Sequence, residues 1–280
     1  MSPLQMWECA IRNAELEIRL EFNPPDLAGL EFRIPHSEFG LTSPTGLGNN
    51  AFPGEEGSPK LLDESGRRMT RVYLVRHGTT EWNREEVFRG RVECPLNETG
   101  QAEARAAASY FQGITMDKIY SSPLARASET AAAIAVGQDV EVILEPAFTD
   151  LDFGEWQGHP LKEVREKYPD LYRAWRERPQ DVTFPKGENL DQVRARAWAG
   201  LLRVVQGNPD RTVVIVSHRV ITKVLLCAAL GLDNSHFWQI KQDTTAINCL
   251  EYWRGTFTVS LLNDTCHLKS IHLPGGRKDF

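Results

Sequence analysis

The stretch Val72-Tyr73-Leu74-Val75-Arg76-His77-Gly78-Thr79-Thr80-Glu81-Trp82-Asn83 decides the reading of this chain. Four apolar residues in a row predict a short strand buried on both faces, the kind found inside parallel sheets. The strand runs straight into an Arg-His-Gly triplet. Open α/β sheets place ligands at the carboxyl ends of such strands. An arginine there offers a permanent positive charge beside an imidazole nucleophile. Gly78 is expected to let the backbone approach an anion closely.

Outward from this stretch the pattern is regular. Thr99 is expected to cap a helix running to Gln112. Lys118–Ser121 reads as a second strand, Leu124–Val136 as a helix and Val140–Leu144 as a third strand. Two helical stretches near 161–177 and a longer one over 188–206 follow. They lead to a strand at Thr212–Val216 and a helix at Val220–Leu230. Ala246–Trp253 and Thr256–Leu262 read as a closing antiparallel hairpin, turning at Arg254-Gly255. Strands alternating with helices predict an α/β fold with a mainly parallel sheet and helices on both faces.

A second histidine, His218, follows its strand as His77 follows the first. If the two strands run parallel, both histidines emerge at one sheet edge. A third piece is Ser121-Ser122-Pro123-Leu124-Ala125-Arg126, which puts Arg126 in the first turn of a helix. Helix N-termini favour anions, and arginine grips phosphate bidentately. A lone histidine behind a strand is usually structural, and a lone surface arginine is usually solvated. Two arginines and two histidines delivered to one edge are the composition needed to hold a dianionic phosphoryl group.

The order of motifs RHGTTEWN, SSPLARASETA, a carboxylate-bearing segment and VSH resembles the histidine phosphatase superfamily, the phosphoglycerate mutase-like branch 1. The likeness runs over about residues 69–265. It implies a three-layer α/β sandwich, no metal, no cofactor and a covalent phosphohistidine. By this resemblance His77 is the nucleophile. Arg76, Asn83, Arg126 and His218 hold the phosphate, Thr80 adds a supporting hydroxyl, and Gly78 and Thr79 complete the phosphate-binding set. The family acid is usually Glu, in a segment like L-x-E-x-x-x-G-x-W-x-G. Here the stretch reads LEPAFTDLDFGEWQG from Leu144 to Gly158, and counting back from Gly154 puts Asp150 at the acid position. Asp152 is the rival, with Glu145 and Glu155 behind it. Arg219 stands where the family often has Gly, and either adds positive charge or points away. Glu93 replaces a common Asp and is expected to alter substrate contacts.

In the implied cycle His77 is neutral, and its other ring nitrogen donates to a fixed acceptor. Arg76, Arg126, Asn83 and a protonated His218 stabilise the equatorial oxygens. Asp150 protonates the leaving alcohol and then activates water. Two enzyme readings compete, a phosphatase that admits water and a mutase that excludes it. The short segment between Trp156-Gln157-Gly158 and Pro185-Lys186-Gly187-Glu188-Asn189 favours the phosphatase, since family mutases carry a longer insertion there. Phe184–Asn189 resembles small-molecule phosphatases such as those acting on α-ribazole 5′-phosphate. The reading from another class is a non-catalytic phosphate-binding module. The presence of Arg76, His77 and Arg126 together argues against it.

The 280 residues carry a net charge of −6 and a pI near 5.7, which speaks against a nucleic-acid partner. A local basic pocket for a small phosphorylated metabolite remains compatible with that balance. The longest apolar run, Val224–Leu230, is too short to span a bilayer, so no membrane partner is expected. The start MSPLQMWECAIRNAE lacks the pattern of a signal peptide. Five scattered cysteines with no C-x-x-C pair read as reduced thiols. These features predict a cytoplasmic protein. Fourteen of the first 70 residues are Pro or Gly, against 23 of the remaining 210. Residues 39–66 show neither helical nor strand periodicity. Residues 1–68 therefore read as an irregular extension or linker, and 69–280 as the phosphatase domain. Met69 stands just before the first strand. Both a natural start there and a real, poorly ordered extension remain open.

Overall fold

Residues 68–269 and 271 are described in the computed structural model of the chain. The extension expected over 1–68 lies outside the described residues except for Arg68. Six strands form one sheet: β1 (Thr70–Arg76), β2 (Lys118–Ser121), β3 (Val142–Leu144), β4 (Thr212–Ser217), β5 (Ile247–Trp253) and β6 (Thr256–Asp264). Their order is β3-β2-β4-β1-β5-β6. The first four pair in parallel, and β5 and β6 add an antiparallel edge. The hairpin turns at Arg254 and Gly255, both with positive φ, which matches the twist of two strands joined by a two-residue loop.

Seven α-helices accompany the sheet among the described residues: α1 (Glu81–Arg84), α2 (Glu98–Tyr110), α3 (Ala125–Ala135), α4 (Leu161–Lys167), α5 (Pro169–Glu177), α6 (Leu190–Gly207) and α7 (Arg219–Ala229). Side chains of β1 and β4 alternate across the sheet. Val72, Leu74, Val213 and Ile215 feed one apolar layer, shared with Val193, Ala197 and Leu201 of α6. Tyr73, Val75, Val214 and Val216 feed the other, against Ala107 of α2 and Ala127 and Ala131 of α3. The alanines bring those helices close to the sheet. Full burial of each large apolar side chain contributes roughly 1.5–3 kcal/mol. The fold is the three-layer sandwich that the sequence implies.

Helix α2 is capped by Asn97 and not by the expected Thr99. The Asn97 Oδ1 accepts the Gly100 N–H at 2.9 Å, and a side-chain acceptor of this kind satisfies a donor that every helix start leaves open. Helix α6 opens with a reciprocal pair: Gln192 N–H donates to Asn189 Oδ1 and Asn189 N–H to Gln192 Oε1, both at 2.9 Å. No described helix is long and apolar enough to cross a membrane. Cys94, Cys227 and Cys249 are buried free thiols. Cys266 is disulfide-bonded, which departs from the reading of all five cysteines as reduced.

Candidate active site

Parallel, in-register pairing assembles the site. Arg76 lies opposite Ser217 across β1 and β4, so His77 and His218 each stand one residue past the last pair. Their ring centroids are 5.2 Å apart. β2 ends in step with them: Ser121 lies opposite Val216, and Ser122 Oγ is 2.7 Å from His218 Nε2.

His77 is buried, and its Nδ1 lies 2.7 Å from the Gly78 carbonyl oxygen. A carbonyl only accepts, so Nδ1 carries the proton and Nε2 keeps its lone pair. Burial, and after it the charges of Arg126, Arg76 and Arg89, hold the His77 pKa well below the ordinary value. The imidazole is held neutral, the state in which Nε2 can act as a nucleophile. Arg76 is fully buried, with Nη1 donating to the Gln242 carbonyl. Arg126 is also fully buried. Its two terminal nitrogens donate to Val92 O at 3.1 Å and Gly90 O at 2.6 Å. Its Nε has no hydrogen-bond partner, so a buried donor stands ready for an anion.

Of the four candidate acids, Asp150 alone joins this group. Its Oδ2 lies 3.3 Å from Arg126 Nη2 and 3.6 Å from His218 Nδ1. Asp152 turns to its own loop, where Oδ1 accepts the Gly154 N–H at 2.8 Å and Oδ2 faces Arg91 at 3.6 Å. Glu155 accepts from Lys186 and the Tyr168 hydroxyl. Glu145 accepts the Ala147 N–H and pairs with Arg203.

Residues 72–265 match the histidine phosphatase superfamily, branch 1. The chain belongs to this superfamily. It is 37% identical over 205 residues to phosphoserine phosphatase 1 of Hydrogenobacter thermophilus, covering 73% of this chain and 97% of that one. The structure of YhfR from Bacillus stearothermophilus is similar with a TM-score of 0.70 at 28% identity, covering 71% of this chain and 100% of the other. Phosphoserine phosphatase of Entamoeba histolytica, solved with 3-phosphoglyceric acid, gives a TM-score of 0.65 at 30% identity, covering 71% and 100%.

Several expectations change in this histidine phosphatase. A Cβ on Gly78 would meet the Gly100 carbonyl oxygen at 2.6 Å, and the Gly78 N–H donates to Thr130 Oγ1 at 3.1 Å. Glycine is required there by packing against the start of α2. The Thr79 N–H donates to Glu103 Oε2 at 2.7 Å, and its hydroxyl to Thr244 Oγ1 at 3.3 Å. Both backbone amides are thus taken by the framework. The Thr80 N–H and hydroxyl both donate to Asn83 Oδ1 at 2.9 Å, which holds the buried Asn83 at the start of α1. Glu93 accepts the Ala125 N–H at 3.0 Å and so caps α3. His218, expected to be protonated, is held neutral. Burial comes first, then the charges of Arg126, His77, Arg89 and Arg196, and together they push its pKa well below the ordinary value.

Sequence reading passed over two arginines. Arg89 is buried, and its charge acts on both histidines. It follows no strand, and nothing short of the fold points it here. Arg196 on α6 spreads its fork over the segment that carries Asp150. It donates to the carbonyls of Ala147 at 2.9 Å, Thr149 at 2.7 Å and Asp150 at 3.0 Å. Nε and Nη2 also bind the two Glu188 oxygens at 3.0 Å each. In the sequence it reads as one more solvated helix cation.

Proposed function

We propose that this histidine phosphatase is a phosphomonoesterase that hydrolyses a small phosphorylated metabolite in the cytoplasm through phospho-His77. The observation that carries the reading is the fixed, neutral imidazole of His77, bared at Nε2 among Arg76, Arg126 and His218.

Phosphoryl transfer asks a protein for positioning and charge neutralisation. Substrate phosphate binds to Arg76, Arg126, Asn83 and His218, with the buried Nε of Arg126 as one open donor. The Nε2 lone pair of His77 attacks phosphorus, and the bond from phosphorus to the leaving oxygen breaks. The Gly78 carbonyl supports the positive charge that grows on the ring, through the Nδ1 proton. Asp150 gives its proton to the leaving oxygen. A water then attacks phospho-His77, Asp150 takes the water proton, and the P–N bond breaks to release phosphate and neutral imidazole. Asp150 is favoured over Asp152 because its carboxylate stands between Arg126 and His218. Between Gly158 and Pro185 lie α4, α5 and one 3-10 turn, without an insertion of the kind the mutase reading calls for.

Hydrolysis of p-nitrophenyl phosphate with EDTA present tests the activity, and trapping an acid-labile, base-stable phosphoenzyme tests the intermediate. His77→Ala is expected to abolish both. Retention of more than about a tenth of the rate would remove His77 from the role, since loss of a covalent nucleophile costs orders of magnitude.

A further inference from the structure

A carboxylate stands behind the nucleophile, outside the phosphate pocket. Glu103 lies on α2 and is only 1% exposed. Its Oε2 accepts the Thr79 N–H at 2.7 Å, and its Oε1 accepts the Thr244 hydroxyl at 2.9 Å. The Thr79 hydroxyl donates to Thr244 Oγ1 at 3.3 Å, which leaves the Thr244 hydrogen for Glu103. Both oxygens of Glu103 therefore accept, the pattern of an ionised carboxylate. Taking such a charge out of water is costly, and these partners are an amide and a hydroxyl rather than a cation.

The Thr79 N–H and the Gly78 carbonyl are the two ends of one planar peptide unit. At the far end, the Gly78 oxygen accepts the His77 Nδ1 proton at 2.7 Å. A continuous line runs from the Glu103 carboxylate through this peptide to the back of the imidazole. Hydrogen bonds in a chain polarise one another, so a carboxylate on the N–H makes the carbonyl a stronger acceptor. The ring needs that support. When Nε2 bonds to phosphorus, Nδ1 keeps its proton and the ring gains positive charge. Burial and the charges of Arg126, Arg76 and Arg89 oppose a positive ring, and the bond to the Gly78 oxygen favours it. Glu103 also holds the other flank through Thr244. In that loop the Gln242 carbonyl accepts from Arg76, and the Thr245 N–H donates to the His77 oxygen at 3.4 Å.

We infer that Glu103 is a positioning residue for His77 and stabilises the positive ring of the phosphoenzyme through the Gly78–Thr79 peptide. This role rests on the reading of His77 as nucleophile. It acts with opposite sign on the two half-reactions. A stabilised positive ring speeds the attack on phosphorus. It slows the P–N cleavage that returns the ring to neutral. A residue that only supports the structure gives no such opposition.

Glu103→Gln separates charge from geometry. The amide oxygen can accept the Thr79 N–H and the amide nitrogen can donate to Thr244 Oγ1, but the charge is gone. Turnover of saturating p-nitrophenyl phosphate and the fraction of enzyme trapped as phosphoenzyme together give the rates of both half-reactions. Phosphoenzyme formation is expected to slow about 3- to 10-fold, the difference between a charged and a neutral hydrogen-bond partner. Its hydrolysis is expected to hold or quicken, so the trapped fraction falls. The proton resonance of His77 Nδ1–H should move upfield. Glu103→Leu loses both contacts and is expected to slow formation about 10- to 100-fold. If that variant does not fold, Glu103→Gln decides alone. Equal slowing of both half-reactions in Glu103→Gln overturns the inference, and so do unchanged rates with an unmoved Nδ1–H resonance. In either case a phosphoenzyme in the intact protein leaves the phosphatase reading standing. No phosphoenzyme and no turnover in the intact protein overturn both.

Discussion

At the residue scale, two carboxylates two positions apart have different surroundings. Asp150 faces Arg126 and His218, whereas Asp152 is spent on the Gly154 amide and Arg91. A general acid matters most when the leaving group is poor. Asp150→Asn is therefore expected to slow an alkyl phosphate on the order of 10²–10⁴-fold, and p-nitrophenyl phosphate far less. Asp152→Asn should show no such dependence. If the two variants exchange these behaviours in steady-state kinetics, the acid is Asp152. For His77, the lowered pKa has a definite sign: the ring stays neutral as pH falls through the ordinary histidine range. Its nitrogen chemical shifts are expected to hold the Nδ1–H form from pH 7 to 5.5. A titration centred near 6.5 would contradict the burial argument.

At the scale of elements, Asp150, the proposed acid, is placed by contacts reaching across the fold. The segment from Ala147 to Asp150 is held by the fork of Arg196 on α6, and Ser217 at the end of β4 donates to Phe148 O at 2.7 Å. Gly154, at φ +52°, allows the next turn to lie against Pro185, whose oxygen would come within 2.0 Å of a Cβ. Arg196→Ala leaves three carbonyls and Glu188 without this donor set. A misplacement of about 1 Å costs up to roughly 100-fold in rate. The variant is expected to lose about 10- to 100-fold on an alkyl phosphate and clearly less on p-nitrophenyl phosphate, because Arg196 acts through Asp150. Equal losses on both esters would mark a structural role alone.

For the whole molecule, two neutral histidines buried among arginines make stability depend on pH. In the unfolded chain each takes up a proton as pH falls below about 6.5. In the fold both refuse it, since their pKa values are lowered. Stability therefore rises with pH in this range, and falls below pH 6.5 by up to about 1.4 kcal/mol per pH unit for each ring. The melting temperature is expected to drop by several degrees between pH 7 and pH 5, and the drop should shrink in His218→Asn. A pH-independent melting temperature would refute this. Among the described residues, β1–β6 and the helices beside them close two apolar layers on the sheet. Deleting residues 1–68 is accordingly expected to leave turnover and melting temperature nearly unchanged. A large fall in either would show that the leader contributes to the domain.

The sequence by itself determined the parallel strands, the closing hairpin and the four charged or imidazole side chains at their ends. Those features are local: β-branched apolar runs, period-2 alternation and a residue directly behind each strand. Because β1 and β4 pair in register, strand-end histidines far apart in the chain had to meet. Only the tertiary structure gives Asp150 and Asp152 different surroundings, since alternate residues of an extended segment look alike until something packs beside them. The same holds for Gly78, whose need for a bare Cα comes from Gly100, and for Thr79, whose amide is claimed by Glu103. Arg89, Arg196 and Arg219 owe their places to neighbours far away in the sequence. Likewise the neutral state of His218 follows from burial and from charges on other elements, which no local pattern encodes.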